Sequence, residues 1–202
     1  YGDSPYQSVS TFAGNPYFID LETLIDKKLL TKEECESCDW GGSESYVDYE
    51  KMYLSRYELL RKAYERADLK NDPDYAVFLK KEKDWLLDYC LFMAIKNAQN
   101  GKCWIDWPEE LKDRHSKAVK EAEKELAEEV GFYSFQQYCF TTQWNKLKEY
   151  ANEKGIQIIG DVPIYVALDS SDAWANPEML QFDEDYNPKA VAGCPPDAFS
   201  AS

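Results

Sequence analysis

The stretch Gly155-Ile-Gln-Ile-Ile-Gly-Asp-Val-Pro-Ile-Tyr-Val-Ala167 decides the fold class. A helical pattern ends at a glycine and runs straight into a short β-branched segment, the α→β step of a protein built on a parallel sheet. Asp161 closes the Ile156–Gly160 run, and Pro163 bars an ordinary continuation as a central strand. A carboxylate at the C-terminal end of a parallel strand stands where barrel enzymes place their site residues. The expected class is therefore α/β. From Asp169 to Ser202 turn residues dominate, which reads as a long excursion over the mouth of a sheet.

Upstream of this step the periodicity is helical. Residues 1–16 read as a loop punctuated by Gly2, Pro5, Gly14, Asn15 and Pro16, and Tyr17 to Leu21 as a short strand. Thr31 followed by Glu34 is a capping box opening a short helix. Four longer helices are expected: Val47 to Leu69, Tyr75 to Gln99, one from Pro108 to about Val130, and one from Ser134 to Ala151. The last is expected to open on Ser134 and Gln137 as a second capping box and to stop at Gly155. Trp85 to Ile95 is apolar nearly all round, so it should be buried. Tyr49, Tyr53, Tyr57 and Tyr64 line one helix face, read first as packing and alternatively as a stacking platform for sugars.

Composition narrows the partners. The 202 residues hold 44% hydrophobic, 30% charged and 15% aromatic side chains, a globular balance. A net charge of −15, from 23 basic and 38 acidic residues, repels phosphate backbones and anionic membranes, so neither nucleic acid nor membrane is an expected partner. The longest apolar run is too short to span a bilayer. The chain opens on Tyr1 in place of Met and reads as cut from something longer.

Six cysteines occur with no disulfide-framework spacing, and reduced thiols are expected. Cys35-x-x-Cys38 lacks the further ligands a structural zinc needs and the βαβ context of a thioredoxin-like pair, so no metal or cofactor is assigned. His115, the only histidine, lies in a charged helix, with no nucleophile elbow or Gly-rich phosphate loop elsewhere. What remains is carboxylate chemistry. Asp161 stands out by its place at a strand end. Asp197, in Cys-Pro-Pro-Asp-Ala-Phe, and Asp3, in Gly-Asp-Ser-Pro-Tyr, read on residue type alone as turn formers bonding to nearby backbone.

Three stretches together resemble glycoside hydrolase family 77, the amylomaltases and disproportionating enzymes. They are Tyr-Gly-Asp-Ser-Pro-Tyr-Gln-Ser…Phe-Ala-Gly-Asn-Pro-Tyr over 1–17, Gln-Trp-Asn-Lys-Leu-Lys-Glu-Tyr-Ala…Gly-Asp-Val-Pro-Ile-Tyr-Val-Ala over 143–167, and Asp-Ser-Ser-Asp-Ala-Trp-Ala-Asn-Pro-Glu with Val-Ala-Gly-Cys-Pro-Pro-Asp-Ala-Phe-Ser-Ala over 169–201. A weaker match is Trp-Leu-Leu-Asp-Tyr-Cys-Leu-Phe-Met-Ala over 85–94. The resemblance implies a partial (β/α)8 barrel of the α-amylase type with a large helical insertion. Residues 1–46 would be a barrel loop and strand region, 47–132 the inserted helical subdomain, and 133–202 a barrel helix, strand and long active-site loop.

The same resemblance implies a 4-α-glucanotransferase acting on maltooligosaccharides or α-glucan in the cytoplasm, with no cofactor and an oligomeric state left open. Tyr1, Ser4 and Tyr6 match positions near the donor sugar, Asp161 the strand-end aspartate that bonds the donor glucose, and Asp197 and Phe199 the loop that covers the glucan. Ala198 departs from the family where an aromatic is common, and Ser202 departs from the expected continuation. The family's nucleophile and acid/base motifs do not occur in these residues, so the chain alone is expected to be inactive. The alternative is a non-catalytic carbohydrate-binding or helical interaction protein.

Overall fold

A computed structural model describes residues 7–161 and 165–190. Its backbone is helical: α1 Leu21–Asp26, α2 Lys32–Glu36, α3 Tyr49–Arg66, α4 Pro73–Lys81, α5 Leu86–Ala98, α6 Glu109–Lys112, α7 Lys117–Glu125, α8 Ala127–Glu153 and α9 Ser171–Ala175. Among the described residues no strand forms, and an isolated antiparallel bridge, Phe182 to Pro188, is the β-pairing present. Of the expected α/β alternation only the helices are present among the described residues, and Ile156–Asp161, expected as a strand, lies outside any helix or ladder.

The axis of the molecule is α8, flanked by α3 and α5. From Phe132 to Cys139 every α8 residue is buried, because both sides of that segment meet apolar partners. Phe132, Phe135 and Cys139 join Leu59, Leu60 and Ala63 of α3 and Leu24 of α1. Tyr133 and Tyr138 join Phe78 of α4 and Leu86, Tyr89 and Cys90 of α5. The other side of α5 buries Leu91, Phe92 and Ile95 against Trp104, Trp107, Val119 and, from α9, Ala173 and Trp174. The burial expected for Trp85–Ile95 holds for Leu86, Tyr89–Phe92, Ala94 and Ile95, whereas Leu87 is exposed and Asp88 and Met93 are half-buried, so the run keeps one face toward solvent.

Several expected elements are corrected. Tyr17–Leu21 is not a strand. The Asn15 side chain accepts from Tyr17 N–H and starts a 3₁₀ turn, Pro16–Phe18. Asp20 then accepts from Glu22 and Thr23 N–H as the N-cap of α1, so side chains close the backbone locally instead of leaving it for a ladder. The helix expected over Tyr75–Gln99 is two, broken at 82–85, where the Trp85 indole N–H donates to Glu82 at 2.9 Å. The break lets Phe78 and the α5 face each meet α8. The Pro108–Val130 helix is likewise divided: Ser116 caps α7 through Val119 N–H at 3.1 Å, and α8 begins right after Leu126. Ser134 starts no helix. It is buried inside α8 and accepts from Tyr75 Oη at 2.8 Å. The Thr31–Glu34 capping box is present.

The helix stop at Gly155 is present and has a defined geometry. Gly155 has φ +74°, its N–H donates to Asn152 O at 2.9 Å, and Ile156 N–H donates to Ala151 O at 2.9 Å, a Schellman closure of α8. Beyond it the chain leaves the core: Ile156, Ile158 and Ile159 are exposed, as are Leu147 and Tyr150 on the last turns of α8.

Candidate substrate-binding site

Of the six residues expected to bind substrate, Asp161 is described; Tyr1, Ser4, Tyr6, Asp197 and Phe199 lie outside the described residues. Asp161 is exposed and sits past the Gly155 stop, at the end of the segment that leaves α8. What the structure defines in detail is the mount of the segments that carry these residues.

The segment following Tyr6 is held at its backbone. Gly14 N–H donates to Gln137 Oε1 at 2.8 Å, and Gln137 Nε2 donates back to Gly14 O at 3.0 Å. Asp20 N–H and Gln143 repeat the arrangement, at 2.7 Å to Oε1 and 3.1 Å from Nε2 to Asp20 O. Gln137 and Gln143 thus each serve one residue as a neighbouring strand would, taking its N–H and its carbonyl together. Gly14 is required by space as well: a Cβ there would stand 2.0 Å from Phe140 Cδ1.

The segment after Asp161 is pinned to the same place. Ser171 N–H donates to Val9 O at 2.8 Å, and Ser171 Oγ donates to the same carbonyl at 3.1 Å. Asp172 accepts from Thr11 N–H at 2.7 Å and from Thr11 Oγ1 at 3.2 Å. Asp169 is buried, with Lys96 Nζ at 2.6 Å and Trp104 N–H at 3.4 Å, and the Trp104 indole donates to Leu168 O at 2.8 Å. The carboxylate is thereby bonded to α5 and to the Trp104 turn, and its burial strengthens such contacts. Ser170 caps α9 through Ala173 N–H at 3.2 Å and donates to Ala167 O at 2.6 Å. The sequence stretches 7–14 and 167–176, which flank the expected donor-sugar residues, are therefore joined side by side over α5 and α8.

This mount is not legible in the sequence. Gln137 reads there as half of a capping box, and the spacing of Lys96 and Asp172 names no partner for either. The available signal was two amides, Gln136 and Gln137, between Phe135 and Tyr138 in a run apolar enough to be buried, since buried amides need partners. Of the tyrosine stripe, Tyr57 and Tyr64 pack against the core, while Tyr49 and Tyr53 stay 44% and 46% exposed. No group of three or more His, Cys, Asp or Glu among the described residues is arranged to hold a metal. None of the helices described is long and apolar enough to cross a membrane.

A central buried helix, a Gly-closed exit toward Asp161 and two co-anchored loops make up the described frame of the site. The structure superimposes on the amylomaltase of Streptococcus agalactiae, solved in complex with acarbose, with a TM-score of 0.92 and 38% identity, covering 99% of this chain and 41% of that one. The 4-alpha-glucanotransferases of Clostridium butyricum and Thermus thermophilus are 47% and 46% identical, each over 99% of this chain and over 41% and 40% of their own length. Residues 1–202 match the glycoside hydrolase family 77 description, 4-alpha-glucanotransferase, and the chain belongs to that family. It spans about 40% of the length of these relatives, their N-terminal part.

Proposed function

We propose that this chain forms the donor-sugar wall of a 4-α-glucanotransferase, a hexosyltransferase that passes α-1,4-glucan segments between maltooligosaccharides. The observation that carries the reading is the superposition on an amylomaltase bound to acarbose over 99% of the chain. In this reading Tyr1, Ser4, Tyr6 and Asp161 contact the donor glucose, and Asp197 and Phe199 close over it. The exposed Ile156, Ile158 and Ile159 support a further part of the reading, that 156–161 is a barrel strand whose neighbours lie in the remaining length of such enzymes. So does the apolar stripe of Trp144, Leu147 and Tyr150, 39%, 53% and 61% exposed, which suits a helix packed on a sheet. On the same reading 1–46 and 133–202 belong to a partial (β/α)8 barrel, 47–132 is its helical insertion, and the enzyme works in the cytoplasm on α-glucan metabolism.

The mechanism follows from retention. One carboxylate attacks the anomeric carbon while another protonates the leaving oxygen, and a sugar hydroxyl then takes the place of water. The pair must flank the scissile bond at roughly 5–5.5 Å, so Asp161 alone cannot run both steps. The 202 residues supply orientation and water exclusion, whereas the reacting carboxylates belong to the family's further length. Maltotriose is the test, with products separated by chromatography. The longer protein should release glucose and longer maltooligosaccharides, and the 202-residue chain should release neither. Asp161→Asn in the longer protein should lower kcat/KM about tenfold to hundredfold, the range for a hydrogen bond to a charged group. Activity of the 202 residues alone overturns the division of labour, and inactivity of the longer protein overturns the assignment.

A further inference from the structure

Cys35 and Cys38 take no part in the mount described above, yet they are placed for chemistry. Cys35 lies in the last turn of α2, and Ser37 keeps helical dihedrals, φ −79° and ψ −11°, so the backbone still winds between the two cysteines. Cys38 Sγ donates to Glu34 O at 3.4 Å, which turns it back along α2. Both side chains are half-buried against the same core of α1, α3 and α8. Residues three apart on a helix have Cβ atoms about 5–6 Å apart. A disulfide needs about 3.5–4.5 Å, so closure asks for a shift of roughly 1–2 Å. The part that moves is the free end of a five-residue helix leading into a loop.

We propose that Cys35 and Cys38 form a modification site, a dithiol that takes low-molecular-weight disulfides as substrate and closes reversibly to an intramolecular disulfide. In the first step one cysteine thiolate attacks the small disulfide, forms a mixed disulfide and expels one small thiolate. The second cysteine then attacks the protein-side sulfur, forms the Cys35–Cys38 bond and expels the second. The two cysteines lose two electrons and two protons, and the small disulfide becomes two thiols.

The remaining described cysteines serve as internal controls. Cys90 and Cys139 are buried in the core, and burial pushes Cys90 well up and Cys139 to about 12. Cys103 is half-buried, with no described cysteine in the same turn to resolve a mixed disulfide on it. Burial also raises the Cys35 and Cys38 thiols, and for Cys35 the charge of Cys38 adds to the rise, so exchange quickens toward alkaline pH.

Closure reaches beyond the pair. The Trp40 indole N–H donates to Cys35 O at 2.8 Å. Asp39 is paired with Lys51 at 2.8 Å, and Ser55 Oγ donates to Asp39 O at 2.8 Å. Tightening the end of α2 strains this 35–41 strap on α3, and strained disulfides are the easily reduced ones.

The test exposes the 202-residue chain to glutathione disulfide at about pH 8.5, where more thiolate is present, then alkylates free thiols and maps peptide masses without reduction. The peptide holding both cysteines should lose two hydrogens, carry no glutathione and regain both thiols with dithiothreitol. Cys35→Ser and Cys38→Ser should each stop with one glutathione on the remaining cysteine. A wild-type peptide that keeps glutathione, or that remains a free dithiol, overturns the proposal, as does either variant that stays unmodified while its far-ultraviolet spectrum shows it folded. Amide exchange over 34–41 should quicken on oxidation and recover on reduction, and unchanged exchange in the oxidised chain removes the strap from it.

Discussion

Replacing Gln137 by alanine removes the clamp on Gly14 without touching any residue expected to meet substrate. Gln137 is 1% exposed, and its amide satisfies both the N–H and the carbonyl of Gly14 while lying 3.5 Å from Tyr89 Oη. A buried backbone group left without its partner costs about 1–3 kcal/mol. Gly14 is half-buried, so water reaches it in part and the lower half of that range applies, about 1–2 kcal/mol for each group. The expected loss is therefore about 2–4 kcal/mol against the 5–15 kcal/mol typical of a domain. At this size that lowers Tm by roughly 5–15 °C.

Gln137→Met keeps the volume and should lose nearly as much, which separates the hydrogen bonds from the cavity. Gln137→Glu adds a sign. An ionised carboxylate can accept from Gly14 N–H, but it faces the Gly14 carbonyl oxygen with no proton to give, and only its protonated form can. Its folded-state pKa should rise above the ordinary value of about 4.3. The native state then holds more protons than the unfolded one, so stability is retained below that value and falls as pH rises through the folded-state pKa. Urea unfolding followed by circular dichroism across pH measures all three variants. An alanine variant within about 0.5 kcal/mol of wild type, the usual range for a surface change, refutes the reasoning, and so does a glutamate variant that tracks the wild-type pH curve.

Four further substitutions test other contacts of the fold. Gln136 is fully buried, and neither of its amide atoms has a hydrogen-bond partner among the described residues, so Gln136→Met should stabilise by about 1–3 kcal/mol in the same unfolding assay. Lys28 holds φ +60° at a Schellman stop, with its N–H on Ile25 O and Leu29 N–H on Leu24 O, so Lys28→Gly should stabilise by about 1 kcal/mol, and Gly155→Ala should cost a similar amount by the same strain. Glu34 is held at about pKa 2 by its Arg66 hydrogen bond and by Thr31 N–H, which contributes stability above pH 4.5 that is lost as pH falls through 2, and Glu34→Gln should flatten the acid limb of the stability curve over that window.

Local chemistry was legible in the sequence wherever a residue acts on its own neighbours. Thr31 and Glu34 cap α2, Gly155 stops α8, and most of Leu86–Ile95 is buried, each because the deciding contact lies within a few residues or in the apolarity of the run. The three family stretches were legible too, since motif order survives in the string itself. Tertiary packing decided the rest. Ser134 looked like a cap, but its hydroxyl partner is Tyr75, 59 positions away, and α8 runs on through it. Gln137 looked like the other half of that cap, yet its amide bonds Gly14, 123 positions away. Asp169 and Asp172 lie in a stretch that reads as an excursion over a sheet, and they meet Lys96 and Thr11. A hydroxyl, an amide or a carboxylate reads the same in sequence whether its partner is three residues off or across the core, and only the folded chain determines which donor arrives once water is excluded. The run Ile156–Asp161 marks the other side of this division. Its β-branched pattern is plain in the sequence, but a strand exists only when a neighbour supplies the other half of the ladder, and among the described residues none does.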